Sequence, residues 1–194
     1  MADRHQDRRV AYTKMFLREA LLELMKEKPI SKITPTELCR KADVNRNTFY
    51  AHYQSPEELL EEIEGELMSR LRSSIDGAFR TDSFEALLLD ICRLIEENAD
   101  LCKVILSENG TSDFLASVIR VTHDSTMEKW RAQGIAISEE RLEMLYRYCI
   151  GGSVIIIRDW VNGGLTQPAE TIAQILNEAN SGALLGLKSA QTPS

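Results

Sequence analysis

Residues 33–53, Ile-Thr-Pro-Thr-Glu-Leu-Cys-Arg-Lys-Ala-Asp-Val-Asn-Arg-Asn-Thr-Phe-Tyr-Ala-His-Tyr, leave little freedom in how they can fold. Thr34 is an N-cap, Pro35 suits a first helical position, and Glu37 follows three residues after Thr34, which makes a capping box. Leu38 and Ala42 then fall four apart on one helix face. Asp43 and Val44 form a turn. Asn45 caps a second helix and leaves Arg46 and Asn47 in its first turn. Phe49 and Tyr53, again four apart, face inward with Leu38 and Val44. Arg46, Asn47, Thr48, Tyr50 and His52 are left for other sides. Ser55-Pro56-Glu57-Glu58 then repeats the start pattern. Two short helices joined by a tight turn, with side chains outward that grip phosphates and read base edges, form a helix-turn-helix pattern for double-stranded DNA.

In order, spacing and terminal position the segment resembles the DNA-binding region of TetR-type transcriptional regulators. The resemblance covers about residues 8–62. It rests on Thr34, Ala42-Asp43-Val44, Thr48-Phe49-Tyr50-Ala51-His52-Tyr53 and Ser55-Pro56-Glu57-Glu58-Leu59. Asp43 replaces the usual turn glycine, which aspartate tolerates in a left-handed backbone. Pro56 replaces a lysine that typically touches phosphate, so one phosphate contact per subunit is expected to be missing. The resemblance implies an N-terminal domain, residues 1–55, that binds operator DNA. Its expected contacts are Thr34, Thr36, Asn45 and Arg46, followed by Asn47, Thr48, Tyr50 and His52. It also implies a C-terminal domain, residues 56–194, for effector binding and dimerisation, and repression as the commoner outcome.

Charge is divided accordingly. Residues 1–56 hold 11 Lys/Arg against 7 Asp/Glu, a balance of +4, whereas residues 57–194 balance at −11. The acidity of the larger part argues against wrapping nucleic acid with the whole surface. One basic end can still dock, because local charge decides phosphate attraction.

Four cysteines, Cys39, Cys92, Cys102 and Cys149, lack metal or redox spacing, and none of the three histidines pairs with them. They read as reduced, mostly buried thiols of a cytoplasmic protein. No metal, no cofactor and no catalytic residues are expected. The acidic pairs Glu57-Glu58, Glu61-Glu62, Glu96-Glu97 and Glu139-Glu140 are adjacent residues that diverge on a helix and read as solvated faces. The polar N-terminus resembles no signal peptide. The apolar stretch Cys149–Ile157 is too short to span a bilayer, so no membrane association is expected.

The rest of the chain reads as all-α, a three-helix N-terminal unit followed by a helical bundle. Helices are expected over about 10–28, with Phe16, Ala20, Leu21, Leu24 and Met25 inward, and over 56–79, with Leu60, Ile63, Leu67, Leu71 and Ile75 on one face. Others follow from Asp82 or Ser83, over 101–107 ending at Asn109-Gly110, over 113–132 ending near Gly134, over 138–161 and over 168–187. The last seven residues are expected to fray.

The penultimate helix carries Leu142, Leu145, Tyr146, Cys149, Gly152, Ser153, Ile156 and Trp160 along one side. Ile150, Val154, Ile155, Ile157 and Val161 make its other sides apolar as well. A helix apolar nearly all round must be covered on more than one side. With the last helix it predicts a four-helix interface of a homodimer with closed two-fold symmetry. The expected contacts are Cys149, Gly152, Ile156 and Trp160, with Ile172, Ile175, Leu176 and Ala179. Residues 151–168 resemble the C-terminal domains of the subgroup that includes the dihydroxyacetone-kinase regulator. The competing reading is a monomeric buried hairpin.

By the same resemblance, a small-molecule effector is expected inside the C-terminal domain. Candidate lining residues are Phe84, Leu88, Cys92 and Phe114, with Val118, His123, Trp130 and Tyr146. Packing is the competing role for each, and a surface position the competing reading of His123. The alternative function is a non-catalytic helical interaction protein with a degenerate helix-turn-helix, with Asp43 and Pro56 as signs of decay.

Overall fold

A computed structural model describes residues 2–81, 83–107, 112–132 and 137–189. Nine α-helices and no strand occur among them: α1 Ala2–Glu27, α2 Pro35–Ala42, α3 Arg46–Tyr50, α4 Pro56–Thr81, α5 Phe84–Glu97, α6 Ala99–Ile105, α7 Ser112–Ala132, α8 Glu139–Asn162 and α9 Ala169–Ser189. A 3₁₀ turn, Ile30–Lys32, joins α1 to α2. The helical stops expected at Asn109-Gly110 and Gly134 lie outside the described residues, as do the last five of the seven residues expected to fray.

The helix starts follow local chemistry. Side-chain oxygens of Thr34, Asn45, Ser83 and Ser138 accept from the backbone N–H groups of Glu37, Asn47, Ala86 and Arg141, supplying partners the first turn lacks. Stops are equally explicit. Asp43 adopts φ 52°, ψ 40°, and its N–H donates to Cys39 O. Aspartate reaches the left-handed region at modest cost, so the turn closes without glycine. At the end of α8, Gly163 N donates to Asp159 O at 2.8 Å and Leu165 N to Trp160 O at 3.0 Å. Gly164 there has φ 84° and Leu165 φ 55°.

The chain divides into two compact units: one boundary falls inside α4, between Met68 and Ser69, and the first unit also takes the described residues from Val104 to Ser107, at the end of α6. In the first unit α2 packs on α1 and α3 packs on α2. Its core holds Leu17, Leu21, Met25, Ile33, Leu38, Phe49, Tyr53, Leu59 and Ile63, all buried. Burying one such side chain stabilises by about 1.5–3 kcal/mol. Phe16, expected inward, is 47% exposed; its neighbour Leu17 is fully buried instead. One residue turns a helix position by about 100°, so the apolar pair Phe16-Leu17 is ambiguous without its partners. α1 also begins well before Val10, through a charged first stretch whose sequence has no apolar period to announce it.

In the second unit α9 packs along α5, α8 lies against α9, and α7 lies against α8. Met127, Trp130, Leu142, Leu145, Tyr146 and Cys149 form one buried cluster, with Ile119, Ile150, Leu184 and Leu187 packed on it. No described helix is long and apolar enough to cross a membrane.

Candidate functional site

The helix-turn-helix is held by two inward aromatics. Phe49 is fully buried and Tyr53 is 2% exposed, with ring centroids 6.0 Å apart. Anchoring positions 49 and 53 commits the rest of α3 to the outside. Arg46, Asn47, Thr48 and Tyr50 are exposed, and His52 is half-buried. Thr34, Thr36 and Asn45 are exposed at the helix starts. Two of these already spend an oxygen on structure: Thr34 Oγ1 accepts from Glu37 N at 3.3 Å, and Asn45 Oδ1 accepts from Asn47 N at 2.8 Å. No acidic residue lies on α3, so nothing on that helix repels a phosphate. The structure thus places seven of the eight residues expected from sequence on the segment from the α2 cap to the end of α3, and His52 in the turn just after it. Lys32 and Arg40, which are not among those eight, are exposed as well.

Pro56 opens α4. Its ring is fully buried at the start of α4. It packs rather than merely lacking a lysine's charge, and a lysine there would have to leave the core. Next to it, Ser55 Oγ accepts from Glu58 N at 3.3 Å, and Glu58 accepts from Gln54 N at 2.5 Å. Lys28 at the end of α1 pairs with Glu37 of α2 at 2.6 Å, which keeps the Glu37 carboxyl below its ordinary range.

In the second unit the eight candidate lining residues fall into two groups. Phe84, Leu88 and Cys92 sit on α5, the helix α9 packs against; Leu88 and Cys92 are buried, Phe84 half-buried. Phe114, Val118, His123 and Trp130 sit on α7 and Tyr146 on α8. Phe114, Trp130 and Tyr146 are buried, and the last two share one core cluster. Tyr146 OH donates to Ile119 O at 2.8 Å and stands 3.0 Å from Thr122 Oγ1. His123 has both ring nitrogens engaged, Nδ1 with Asp124 at 3.0 Å and Nε2 with Glu143 at 2.8 Å. Its ring meets Tyr146 edge-on at 4.8 Å. An imidazole so occupied has no nitrogen left to orient a ligand. Burial pushes the thiols of Cys92 and Cys102 up to about 12.

The residues expected at a chain–chain contact also divide. Gly152, Ile175 and Ala179 are exposed and Ile156 is half-buried. Cys149, Trp160, Ile172 and Leu176 are buried within the chain itself. Cys149 belongs to the core cluster, and Trp160 Nε1 donates to Gln167 O at 2.9 Å, closing the α8–α9 turn. These four therefore hold one chain together. On α8 and α9 the large apolar residues left exposed are Met144, Tyr148, Ile155, Ile175 and Leu185.

A helix-turn-helix unit joined to a separate helical bundle defines a class of two-part bacterial regulators, and comparison with known proteins places the chain within it. The family described as bacterial regulatory proteins, tetR family, matches residues 17–63. The family described as transcriptional regulator C-terminal region matches residues 82–182. The chain belongs to the TetR family of transcriptional regulators. It is 43% identical to the uncharacterized HTH-type transcriptional regulator YxbF of Bacillus subtilis over 56 residues, 28% of this chain and 15% of that protein. It is 26% identical to YvdT of the same organism, another uncharacterized HTH-type regulator, over 112 residues, 58% of this chain and 54% of that protein. The matched stretches thus span about half the length of these relatives or less. Among solved structures, the dihydroxyacetone kinase operon activator DhaS aligns at TM-score 0.60 and 19% identity, over 92% of this chain and 97% of that one. NalD, the secondary repressor of the MexAB-OprM multidrug efflux pump in Pseudomonas aeruginosa, aligns at TM-score 0.64 and 16% identity, over 88% and 95%. At these identities the likeness concerns the fold.

Proposed function

We propose that this chain binds a specific operator duplex as a homodimer, in the cytoplasm and without enzymatic activity, and represses transcription until a small molecule binds its C-terminal domain. The observation that carries the reading is α3. It has five residues and no acid, two aromatics anchor its inner side, and Arg46, Asn47, Thr48 and Tyr50 face outward. Arg46 and Asn47 have the chemistry to read guanine and adenine edges in the major groove, and Thr34, Thr36 and Tyr50 suit phosphate oxygens. Lys32 and Arg40 extend the basic surface on which non-specific affinity depends.

Residues 1–55 are assigned the reading of DNA and residues 56–194 the effector and the second subunit. Two copies of α3 would meet successive major grooves about one helical turn, or a multiple of it, apart. The family assignment supports an effector. Buried Leu88, Cys92, Phe114, Trp130 and Tyr146 with half-buried Phe84 and Val118 are the apolar residues assigned to its site, and His123 is withdrawn from direct contact by its two carboxylate partners. Repression is proposed from the family's commoner mode; NalD is named a repressor and DhaS an activator, so both outcomes occur on this fold.

The degenerate-motif reading has no observation in its favour. Asp43 sits in a left-handed conformation that aspartate tolerates, and Pro56 is a packed first-turn residue. Selection of duplexes from a random-sequence library tests the proposal. The wild type should enrich a two-fold symmetric site, and Arg46→Ala should lose about 1–3 kcal/mol on it and relax one base position per half-site. No enrichment, or an unchanged profile for Arg46→Ala, would overturn it.

A further inference from the structure

Three glutamates recur every four residues along α4, Glu58, Glu62 and Glu66, on the part of the helix that belongs to the first unit. Each is engaged. Glu58 accepts from Gln54 N at 2.5 Å, and Glu66 accepts from Arg18 at 2.7 Å. Glu62 is held three times. Lys14 Nζ lies 3.0 and 2.9 Å from its two oxygens, and Tyr53 OH donates to one of them at 2.9 Å. Lys14 and Arg18 are themselves four apart on α1, so the two helices meet through two successive charged rungs. Lys14 Nζ also lies 5.3 Å from the centroid of the Tyr53 ring.

Exposed ion pairs add little to stability, so the rungs are a weak reason for two donor groups to converge on one carboxylate. Their geometric consequence is larger. α3 is too short to hold a direction by itself, since a helix of one or two turns depends on what it packs against. On its inner side it has Phe49, whose ring sits in the core, and just beyond its end Tyr53, whose hydroxyl ends on Glu62. Burial pushes the Glu62 carboxyl up, and the hydrogen bonds from Lys14 and Tyr53 outweigh it, with His52 adding in the same direction; the net value lies below the ordinary range. The carboxylate therefore stays ionised at neutral pH.

We propose that Glu62 is a positioning residue for DNA reading: by holding Lys14 of α1 and Tyr53 at once, it sets the pose of α3 against the foot of α4. The inference rests on the reading of α3 as the DNA-reading helix. Glu62 is not a contact to DNA. It acts through Tyr53, and its loss should loosen the angle at which Arg46 and Asn47 arrive, which penalises a precise base contact far more than a phosphate contact.

Two variants test this on the full-length protein. Glu62→Gln keeps the shape and an acceptor for Tyr53 but removes the ion pair with Lys14. Tyr53→Phe keeps the buried ring and removes the hydroxyl. The probes are the duplex that the wild type enriches from a random library and a random-sequence duplex of equal length. Glu62→Gln should lose about tenfold and Tyr53→Phe about threefold on the enriched duplex, with helicity, random-duplex affinity and salt slope as in the wild type. The double variant should lose more than Glu62→Gln, which leaves the Tyr53 hydroxyl its acceptor, but less than the product of the two single losses, because Lys14 and Tyr53 hold the same side chain. Where Glu62→Gln fails to fold, Tyr53→Phe decides by the same ratio of enriched to random affinity. A ratio within about twofold of wild type in the folded variants, or an equal loss on both duplexes, would overturn the positioning role. A wild type that enriches no sequence overturns the DNA-reading proposal and this inference with it. Enrichment with unchanged ratios overturns this inference alone.

Discussion

Glu143 Oε2 stands 2.8 Å from His123 Nε2, so a carboxylate of α8 faces an imidazole of α7. The other ring nitrogen faces Asp124 at 3.0 Å, and Arg147 holds the far oxygen of Glu143 at 3.2 Å. Only the imidazolium can donate at both nitrogens at once. His123 should therefore titrate above its ordinary value of about 6.5, first because of the hydrogen bond to Asp124 and then because of Glu143, with burial opposing. A value raised by folding stabilises the fold fully below about pH 6.5, and the contribution fades as pH rises through the raised value. Glu143 is held below its ordinary range by His123 and then Arg147, so its share is lost as pH falls below about 4.3. Stability from this pair is greatest between those limits. Imidazole resonances followed by NMR should give a midpoint above about 6.5, and Glu143→Gln should move it down and flatten the slope of Tm against pH on the alkaline side. A wild-type midpoint at or below that value would contradict the assignment.

Asp43→Gly should stabilise the first unit. The residue sits at φ 52°, and a left-handed L-residue costs roughly 1–2 kcal/mol, partly relieved for aspartate. Glycine removes that cost but loses more entropy on folding, so the net gain should be about 0.5 kcal/mol. Asp43→Val should destabilise by about 1–2 kcal/mol, since a β-branched residue fits that region worst. Chemical denaturation of both variants checks the order Gly above Asp above Val; Val at or above the wild type would show that the turn relaxes.

The four cysteines should react slowly with thiol reagents. All are buried, and burial holds Cys92 and Cys102 at about 12, with Cys39 and Cys149 also raised. At pH 8 a thiol of that kind is ionised about once in 10⁴ molecules, and the thiolate is what reacts. Labelling should track unfolding, with all four thiols appearing together in denaturant. Because these values are raised by folding, stability should also fall as pH climbs above about 8.5, where unfolded thiols ionise. A single fast-labelling cysteine in the native protein would reveal an accessible site that the burial does not provide.

What the sequence could announce was local. Thr34 with Glu37, Asn45 with Asn47 and Ser55 with Glu58 are interactions over two or three residues, and each is written in the spacing. The inward Phe49 and Tyr53 were legible from their period of four. What Tyr53 OH bonds to was not, because Glu62 and Lys14 join it from two other helices. His123 shows the same limit: Asp124 is its neighbour, but Glu143 arrives from the next helix. α8 shows a different one. Where every face is apolar, periodicity cannot say which face the chain keeps for its own core. Cys149 and Trp160 went inward, and Tyr148 and Ile155 stayed out.

That outer face yields the last prediction. Met144, Tyr148 and Ile155 are 61%, 73% and 52% exposed on α8, and Ile175 and Leu185 are 44% and 62% exposed on α9. Between them lie Gly151, Gly152 and Gly182, and apart from their chain neighbours and their own helix backbone no atom comes within 4 Å of where a Cβ would stand on any of the three. Nothing inside one chain requires glycine there, although mid-helix glycine costs about 0.5–1 kcal/mol relative to alanine. Close approach of a second copy of the same two helices would account for it. Sedimentation should find the wild type as a dimer at about micromolar concentration, a regime in which an interface of ordinary size holds. Gly152→Leu meets open space within the chain, so it should leave folding intact. In the dimer it should overpack the contact by about 1–3 kcal/mol, which weakens association roughly 5- to 150-fold. Tyr148→Arg should weaken it as well, by putting a charge from each chain on the exposed apolar face. A wild type that sediments as a monomer, or a Gly152→Leu protein that dimerises with unchanged affinity, would remove this face from the interface.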